Sequence, residues 1–350
     1  MKIAVVDVAA ENSGALSVLY DFYNYVKNYD NSNRYYFFTS VIRLEETENI
    51  TCINNEKIKK SWFHRYCWEY RVFPKYVKQE KFDVLFSLQN NAMPIKKIKQ
   101  VVYFHNSLHL LDKNKFKLQD PNDRKFWIYT RIVTPIVLKS LRRADCLICQ
   151  TMCTRDKLKE YTAGKVLAIY PDATVEIKNN RGKIKGFLYP AGPLSYKHME
   201  YIVDAEKRLK VEERHEILFT FKGDENEYAT RVFNEAKGLD KIRFIGWQNR
   251  DDILNLYNEY GLVFTSTIES FPIPFIEAMA YGVPIVAADE EFSREILKNY
   301  KNGILCKPEN LEIALKEAEK MSIMSGKRIV DRQNSTWADV LEELKHTAIT

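Results

Sequence analysis

Long apolar runs are missing from this chain of 350 residues. No stretch reaches the roughly 18 residues that a membrane-spanning helix needs, so no span is expected. Glycine (12) and proline (11) are sparse, and neither low-complexity segments nor short repeats occur. No G-x-G-x-x-G is present, which counts against a dinucleotide cofactor. Cys146, Cys149 and Cys153 have a C-x2-C-x3-C spacing, yet no fourth Cys or His follows at ligand distance. Their segment, ADCLICQT, reads as a buried strand in which Cys serves as a small hydrophobe, and no metal is expected. The opening MKIAVVDVAA has a short apolar run broken by Asp7. It reads as a first strand rather than a signal peptide, so a cytoplasmic location is expected.

What is present is a globular composition, 45% hydrophobic and 29% charged. The length exceeds what one hydrophobic core usually holds, so two domains are the expectation. Charge is uneven: residues 1–175 carry 28 Lys and Arg against 18 Asp and Glu, and the remainder carries 25 against 29. An excess of cations in one half suggests that this half faces something anionic.

The order of elements repeats. Residues 2–8 read as a strand, 9–15 as a small-residue loop containing Ser13 and Gly14, and 16–29 as a helix. Further strands are expected at 35–40, 83–87, 101–105 and 144–151, the third ending at His105 with Asn106 following it. After a polar linker the pattern restarts: strand 186–189, loop 190–198, helix 199–210, strands 216–221 and 242–244, Gly246, then helix 251–260. The expected division is 1–172 as a first domain, 173–185 as linker, 186–330 as a second domain and 331–350 as a C-terminal helix, capped by Ser335 or Thr336. The fold class expected is α/β, two doubly wound Rossmann-like domains facing each other across a cleft, with the C-terminal helix packing back toward the first.

Two basic stretches admit two readings. In KIKKSWFHRYCWEYRVFPKYVK (57–78), Trp62, Phe63, Tyr66, Tyr70 and Phe73 recur at helical spacing among Lys and Arg. A buried aromatic stripe is the ordinary reading of such a helix. A helix lying on an anionic membrane surface is the alternative. RKFWIYTRIVTPIVLKSLRR (124–143) carries the same ambiguity, and no nucleic-acid module is recognisable.

The most informative stretch is ESFPIPFIEAMAYG (269–282), lying between the apolar runs 261–267 and 283–289. It reads as strand, loop, helix, Gly stop and strand, with Glu269 in the loop and Glu277 in the first turn of a helix starting near Phe275. Carboxylates there accept from sugar hydroxyls, and free helix N–H groups favour a phosphate. Dipole compensation by Glu277 and simple solvation of Glu269 are the plain alternatives.

With YPAGPLSYKH (189–198), FIGW (244–247) and the terminal STWADVLEEL, this stretch resembles the C-terminal half of retaining glycosyltransferases of family 4, which have the GT-B fold. Glu269 and Glu277 match that family's Glu-x7-Glu. The resemblance extends more weakly to the first half, through Ser13-Gly14, YFHN (103–106) and ICQT (148–151). It implies that Lys197 neutralises a departing diphosphate, that Glu269 faces the donor sugar, and that Glu277 holds the ribose hydroxyls. Ser270, Phe271, Pro272, Ile273 and Gly246 complete the donor side. His105 matches a position near the reacting sugar, and Ser13, Gly14 and Asn106 fall on the acceptor side. The implied co-substrate is a nucleotide sugar such as a UDP- or GDP-sugar, with no other cofactor. The implied partner is a glycan or lipid-linked glycan in bacterial surface-polysaccharide or lipopolysaccharide assembly, at the inner membrane face. No D-x-D is present, so metal-bound diphosphate is not expected. Two departures stand out: Pro193 follows Gly192 where the family often has Arg, and Glu-Ser-Phe-Pro-Ile-Pro replaces Glu-Gly-Phe-Gly-Leu-Pro. A hydrolase using both Glu leaves the Lys loop unexplained. A non-catalytic GT-B-like binding subunit is the other alternative.

Overall fold

The computed structural model describes residues 1–11, 13–112, 115–171, 175–179, 181–328 and 336–350, the Ser13 side chain excepted. The chain divides into two units: Met1–Asp112, Tyr129–Pro171 and Gln333–Thr350 form one, and Lys113–Ile128 with Asp172–Arg332 form the other.

The first unit is built on seven parallel strands: β1 (Lys2–Asp7), β2 (Arg34–Thr39), β3 (Ile50–Asn54), β4 (Val84–Ser87), β5 (Lys99–Phe104), β6 (Cys146–Cys149) and β7 (Lys165–Ala168), in the order β3-β2-β1-β4-β5-β6-β7. Central β1 is apolar on both faces because both are covered. Ile3 and Val5 join a cluster with Phe22 and Val26 of the helix Ser13–Tyr29, and Ala4 and Val6 join another with Trp68, Phe73 and Val77. The helix Thr336–Ile349 belongs to this unit, its Val340, Leu341 and Leu344 lying in the first cluster. Trp337 packs on Phe22 and Tyr103, with ring centroids 5.1 and 5.2 Å away. Thr336 is the first helical residue, and its hydroxyl donates to the Tyr170 carbonyl at 2.6 Å. Ser335 lies outside the described residues.

The second unit repeats the plan. After β8 (Gly182–Lys183) come β9 (Gly186–Tyr189), β10 (Glu216–Phe219), β11 (Ile242–Phe244), β12 (Tyr260–Phe264), β13 (Ile285–Ala288) and β14 (Gly303–Cys306), with parallel order β11-β10-β9-β12-β13-β14. Gly182–Lys183 pairs antiparallel with β15 (Ser322–Ile323). The switch of direction falls between β9 and β12, and the loops leaving their carboxyl ends carry the candidate site.

Three expectations change. Residues 113–128, expected in the first domain, group with the second unit. Their Phe126 packs edge-on against Tyr196 at 5.3 Å, and Asp123 accepts from the Ser195 hydroxyl at 2.8 Å. The aromatic stripe of 57–78 is not buried as a whole: Trp62, Phe63, Tyr66 and Tyr70 are exposed, while Trp68, Phe73 and Val77 face the core. The cause is a π turn at Trp68–Val72, which adds a residue and gives the buried face a five-residue step from Trp68 to Phe73. Finally, the helix expected near Phe275 spans Ile273–Tyr281, so Glu277 sits in its second turn.

Candidate active site

Lys197 lies in a 3-10 turn, Ser195–Lys197, in the loop after β9. Its backbone is pinned twice. The Tyr189 and Thr265 hydroxyls both donate to the Lys197 carbonyl at 2.8 Å, from strands β9 and β12 or their ends. The Thr267 N–H donates to the Tyr196 carbonyl at 3.1 Å. The segment leading to Glu269 is thereby fixed to the lysine loop across 72 residues of sequence, and the Lys197 ammonium donates to the Glu269 carboxylate. Their side chains are only 12% and 16% exposed. The ammonium also lies 5.3 Å from the Phe264 ring centroid and 5.6 Å from that of Tyr196, within cation–π range of both rings.

Glu277 is buried in the helix Ile273–Tyr281, and its carboxylate accepts from Arg250 Nε at 3.2 Å. Burial pushes the Glu277 carboxyl above the usual glutamate range, while the Arg250 guanidinium pulls it down. Arg250, exposed at the start of the helix Arg250–Leu256, is a residue that sequence reasoning did not single out. The two are 27 positions apart, and no spacing rule links them.

Pro272 occupies the N-cap position and Pro274 follows inside the first turn, where a missing N–H costs nothing. The Ile273 N–H donates to the Phe271 carbonyl at 3.0 Å and the Phe275 N–H to Pro272 at 2.9 Å. The helix end therefore offers fewer open donors than expected, although its dipole stays directed at this loop. Ser270 is half-buried, and Phe271 and Pro272 are buried. Gly282 closes the helix at φ +72, where a Cβ would stand 1.8 Å from the Met324 carbonyl oxygen. Gly246, at φ +75 after β11, lies against the Lys222 side chain, whose Cε and Cγ are 3.3 Å from the position of an added Cβ. Lys222 is a second cation that the sequence did not disclose.

In the first unit, His105 follows β5. Its Nε2 donates to the Leu88 carbonyl at 2.7 Å, and its N–H donates to Asn90 Oδ1 at 2.6 Å. Burial holds its pKa below the usual histidine value, so the ring is neutral near pH 7. Asn106 caps the next turn, accepting from the Leu108 N–H, and its Nδ2 donates to the Tyr129 hydroxyl at 3.1 Å. Tyr129 in turn lies 3.1 Å from His109 Nε2, and His109 Nδ1 lies 3.0 Å from the Thr134 hydroxyl. Burial lowers the His109 pKa to about 4, so the ring is neutral, with one nitrogen donating and the other accepting between the Tyr129 and Thr134 hydroxyls. Neither Tyr129 nor His109 was marked by the sequence. Gly14 is in the first turn of the helix Ser13–Tyr29, with open space where a Cβ would stand. The Ser13 side chain lies outside the described residues.

The sites thus lie on two doubly wound α/β units of the GT-B type. A solved structure of WaaG, a glycosyltransferase involved in lipopolysaccharide biosynthesis, matches 91% of this chain and 90% of its own at TM-score 0.65 and 12% identity. Anabaena HepE, solved in complex with UDP-glucose, matches 99% of this chain and 92% of its own at TM-score 0.56 and 16% identity. At such identities these matches define the fold. A step nearer in sequence, residues 174–328 match the profile of the family Glycosyl transferases group 1, and this segment contains Lys197, Glu269 and Glu277. An uncharacterized glycosyltransferase of Methanocaldococcus jannaschii, MJ1607, is 31% identical over 121 residues, covering 34% of this chain and 31% of that protein. The chain spans between 31% and 66% of the length of such curated relatives.

Proposed function

We propose that the protein transfers a sugar from a nucleotide-sugar donor to an acceptor hydroxyl with retention of configuration and without a metal. The observation that carries this reading is a largely enclosed, doubly pinned Lys197 held on Glu269, in the same unit as the buried Glu277 and its exposed partner Arg250. A fixed cation stabilises charge as it develops on a leaving diphosphate. Glu277 accepts the ribose hydroxyls, Glu269 orients both the lysine and a donor-sugar hydroxyl, and Ser270, Phe271, Pro272, Ile273 and Gly246 shape the rest of the donor pocket. In the proposed step the C1–O bond to the diphosphate breaks and its electron pair leaves with the diphosphate. The acceptor oxygen bonds to C1 on the same face, and its proton passes to the departing phosphate oxygen. No protein nucleophile takes part. His105, neutral and held by Leu88, borders the reacting sugar, and Asn106, Ser13 and Gly14 belong to the acceptor side.

The profile match over the donor-side residues supports the class of chemistry. The fold shared with WaaG, a glycosyltransferase involved in lipopolysaccharide biosynthesis, supports an acceptor among bacterial surface glycans; the reading takes this acceptor as free or lipid-linked and met at the inner membrane face. A transfer assay tests the reading. Release of nucleoside diphosphate that depends on a glycan acceptor, persists in EDTA and yields a product with the donor's anomeric configuration is expected. Inverted product or EDTA-sensitive turnover contradicts the mechanism. Acceptor-independent cleavage of free glycosides favours a hydrolase, and nucleotide binding without any turnover favours a non-catalytic subunit.

A further inference from the structure

Two helical segments of the first unit lie on one face of its sheet. In the paired register of β4 and β5, Leu85 shares a face with Gln100 and Val102, while Phe86 and Val101 point to the opposite side. Leu85 belongs to the cluster backed by Trp68, Phe73 and Val77, and Val102 to the cluster backed by Leu138 and Leu141. The segments Trp62–Glu80 and Tyr129–Ser140 are therefore neighbours on the same layer, and each contains a π turn. Their outward side chains are apolar where solvated helices are normally polar. Trp62 is 71% exposed, Phe63 70%, Ile132 58% and Ile136 66%, with Tyr66, Tyr70 and Val72 also exposed. Large apolar groups in such number on one face mark an interaction site.

Charge identifies the partner. Residues 57–78 hold seven Lys and Arg against one Glu, and 129–143 hold Arg131, Lys139, Arg142 and Arg143 with no acidic residue. At the amino-terminal ends of β5 and β6, next to the last residue of the second stretch, is an open depression of about 530 Å³ lined by Lys96, Lys97, Lys99, Arg143 and Asp145. Its Ile95 and Ile98 pack against the cluster behind the first helix. Asp145 pairs with Lys99 at 3.2 Å, and the other three cations face the opening without a carboxylate of the lining to balance them. Aromatic and branched apolar tips among cations match the boundary of an anionic bilayer: rings and aliphatic groups enter the headgroup region while ammonium and guanidinium groups meet phosphate.

We propose that this two-helix face docks the protein on an anionic lipid bilayer, with Trp62, Phe63, Ile132 and Ile136 as the inserted side chains and the 96–99/143 depression taking a lipid phosphate. The inference deepens the reading of a membrane-proximal acceptor, but its test does not depend on transfer. The full chain is sedimented with vesicles of phosphatidylglycerol and phosphatidylcholine, and with phosphatidylcholine alone. Binding to the anionic vesicles only is expected, with loss at 1 M salt, where the screening length is about 3 Å. Trp62→Ser with Phe63→Ser, and separately Ile132→Ser with Ile136→Ser, are expected to weaken partitioning about tenfold or more while far-UV circular dichroism stays unchanged. Absence of binding to anionic vesicles, or equal binding by the folded variants, overturns the proposal. So does a lipid-free dimer that the same variants dissociate, since a second copy is then the occupant. Vesicle binding without transfer in any assay refutes the transferase reading alone, and transfer without vesicle binding refutes the docking alone.

Discussion

Removing one member of the Lys197–Glu269 pair separates its structural from its chemical role. Both side chains are less than one-fifth exposed, so bulk water screens them poorly. Glu269→Gln leaves an ammonium with the Phe264 and Tyr196 rings in place of a carboxylate, and Lys197→Met leaves a carboxylate beside a thioether. Breaking a buried pair on one side costs about 3–5 kcal/mol, and the residual exposure here brings the expectation to about 2–3 kcal/mol. The double variant removes both charges and replaces them with groups of similar length, so it is expected within about 1 kcal/mol of the parent. The coupling energy is then about 3 kcal/mol or more. Urea unfolding at pH 7, followed by circular dichroism with the slope checked for constancy, measures it. All three variants are expected to lose transfer, including the double variant that regains stability. An interaction energy below about 0.5 kcal/mol refutes the claim that the pair is a buried, preorganised unit.

The Glu277 carboxyl is raised by burial, so donor binding through its ionised form is expected to weaken as pH falls, beginning above the ordinary glutamate range. Calorimetric titration of the nucleotide across pH checks this, and Glu277→Gln is expected to bind weakly with that titration abolished. Asp7 is buried at the end of β1, accepting the Ala10 N–H at 3.1 Å while its Oδ2 has no hydrogen-bond partner. Burial pushes its pKa from 3.8 up to about 7, so the folded state binds the proton more tightly than the unfolded one. Its contribution to stability is therefore expected to fall as pH rises from about 4 to 7, by up to about 1.4 kcal/mol per unit, and to level off above. Denaturation across that window should show this slope in the parent and its loss in Asp7→Asn. Gly282→Ala forces a Cβ onto the Met324 carbonyl at positive φ and is expected to cost more than about 1 kcal/mol in the same assay.

Much of the fold was legible because parallel strands covered on both faces leave continuous apolar runs. GFLY at 186–189 has the expected bounds, with all four residues buried. Edge strands were harder to read. β14 (GILC) is half-buried throughout and β3 (ITCIN) has one buried residue, and their short mixed sequences carry no run to distinguish them from loop. The helix at Ile273 began two residues early because Pro272 and Pro274 read as loop, although a first turn tolerates both. Lys197 and Glu269 were visible as motif residues, yet their contact arises only when β9 and β12 lie side by side, and the Arg250–Glu277 contact only when the segment after β11 meets the helix after β12. The exposed aromatic face was misjudged for a local reason: a π turn rotates the helix surface, and a plain 3.6-residue count does not register it.

The central claim is that the second unit holds a nucleotide sugar through Glu277 and Lys197. It is tested most directly by thermal unfolding of the parent and Glu277→Ala against a panel of UDP-, GDP-, ADP- and dTDP-sugars. At about 100 times its dissociation constant a true donor adds about 2.7 kcal/mol to stability. For a unit of this size that corresponds to a rise of about 5–10 °C in Tm. The expected result is such a rise with one nucleotide class in the parent and none in Glu277→Ala; no rise with any member of the panel, or an equal rise in both proteins, contradicts it.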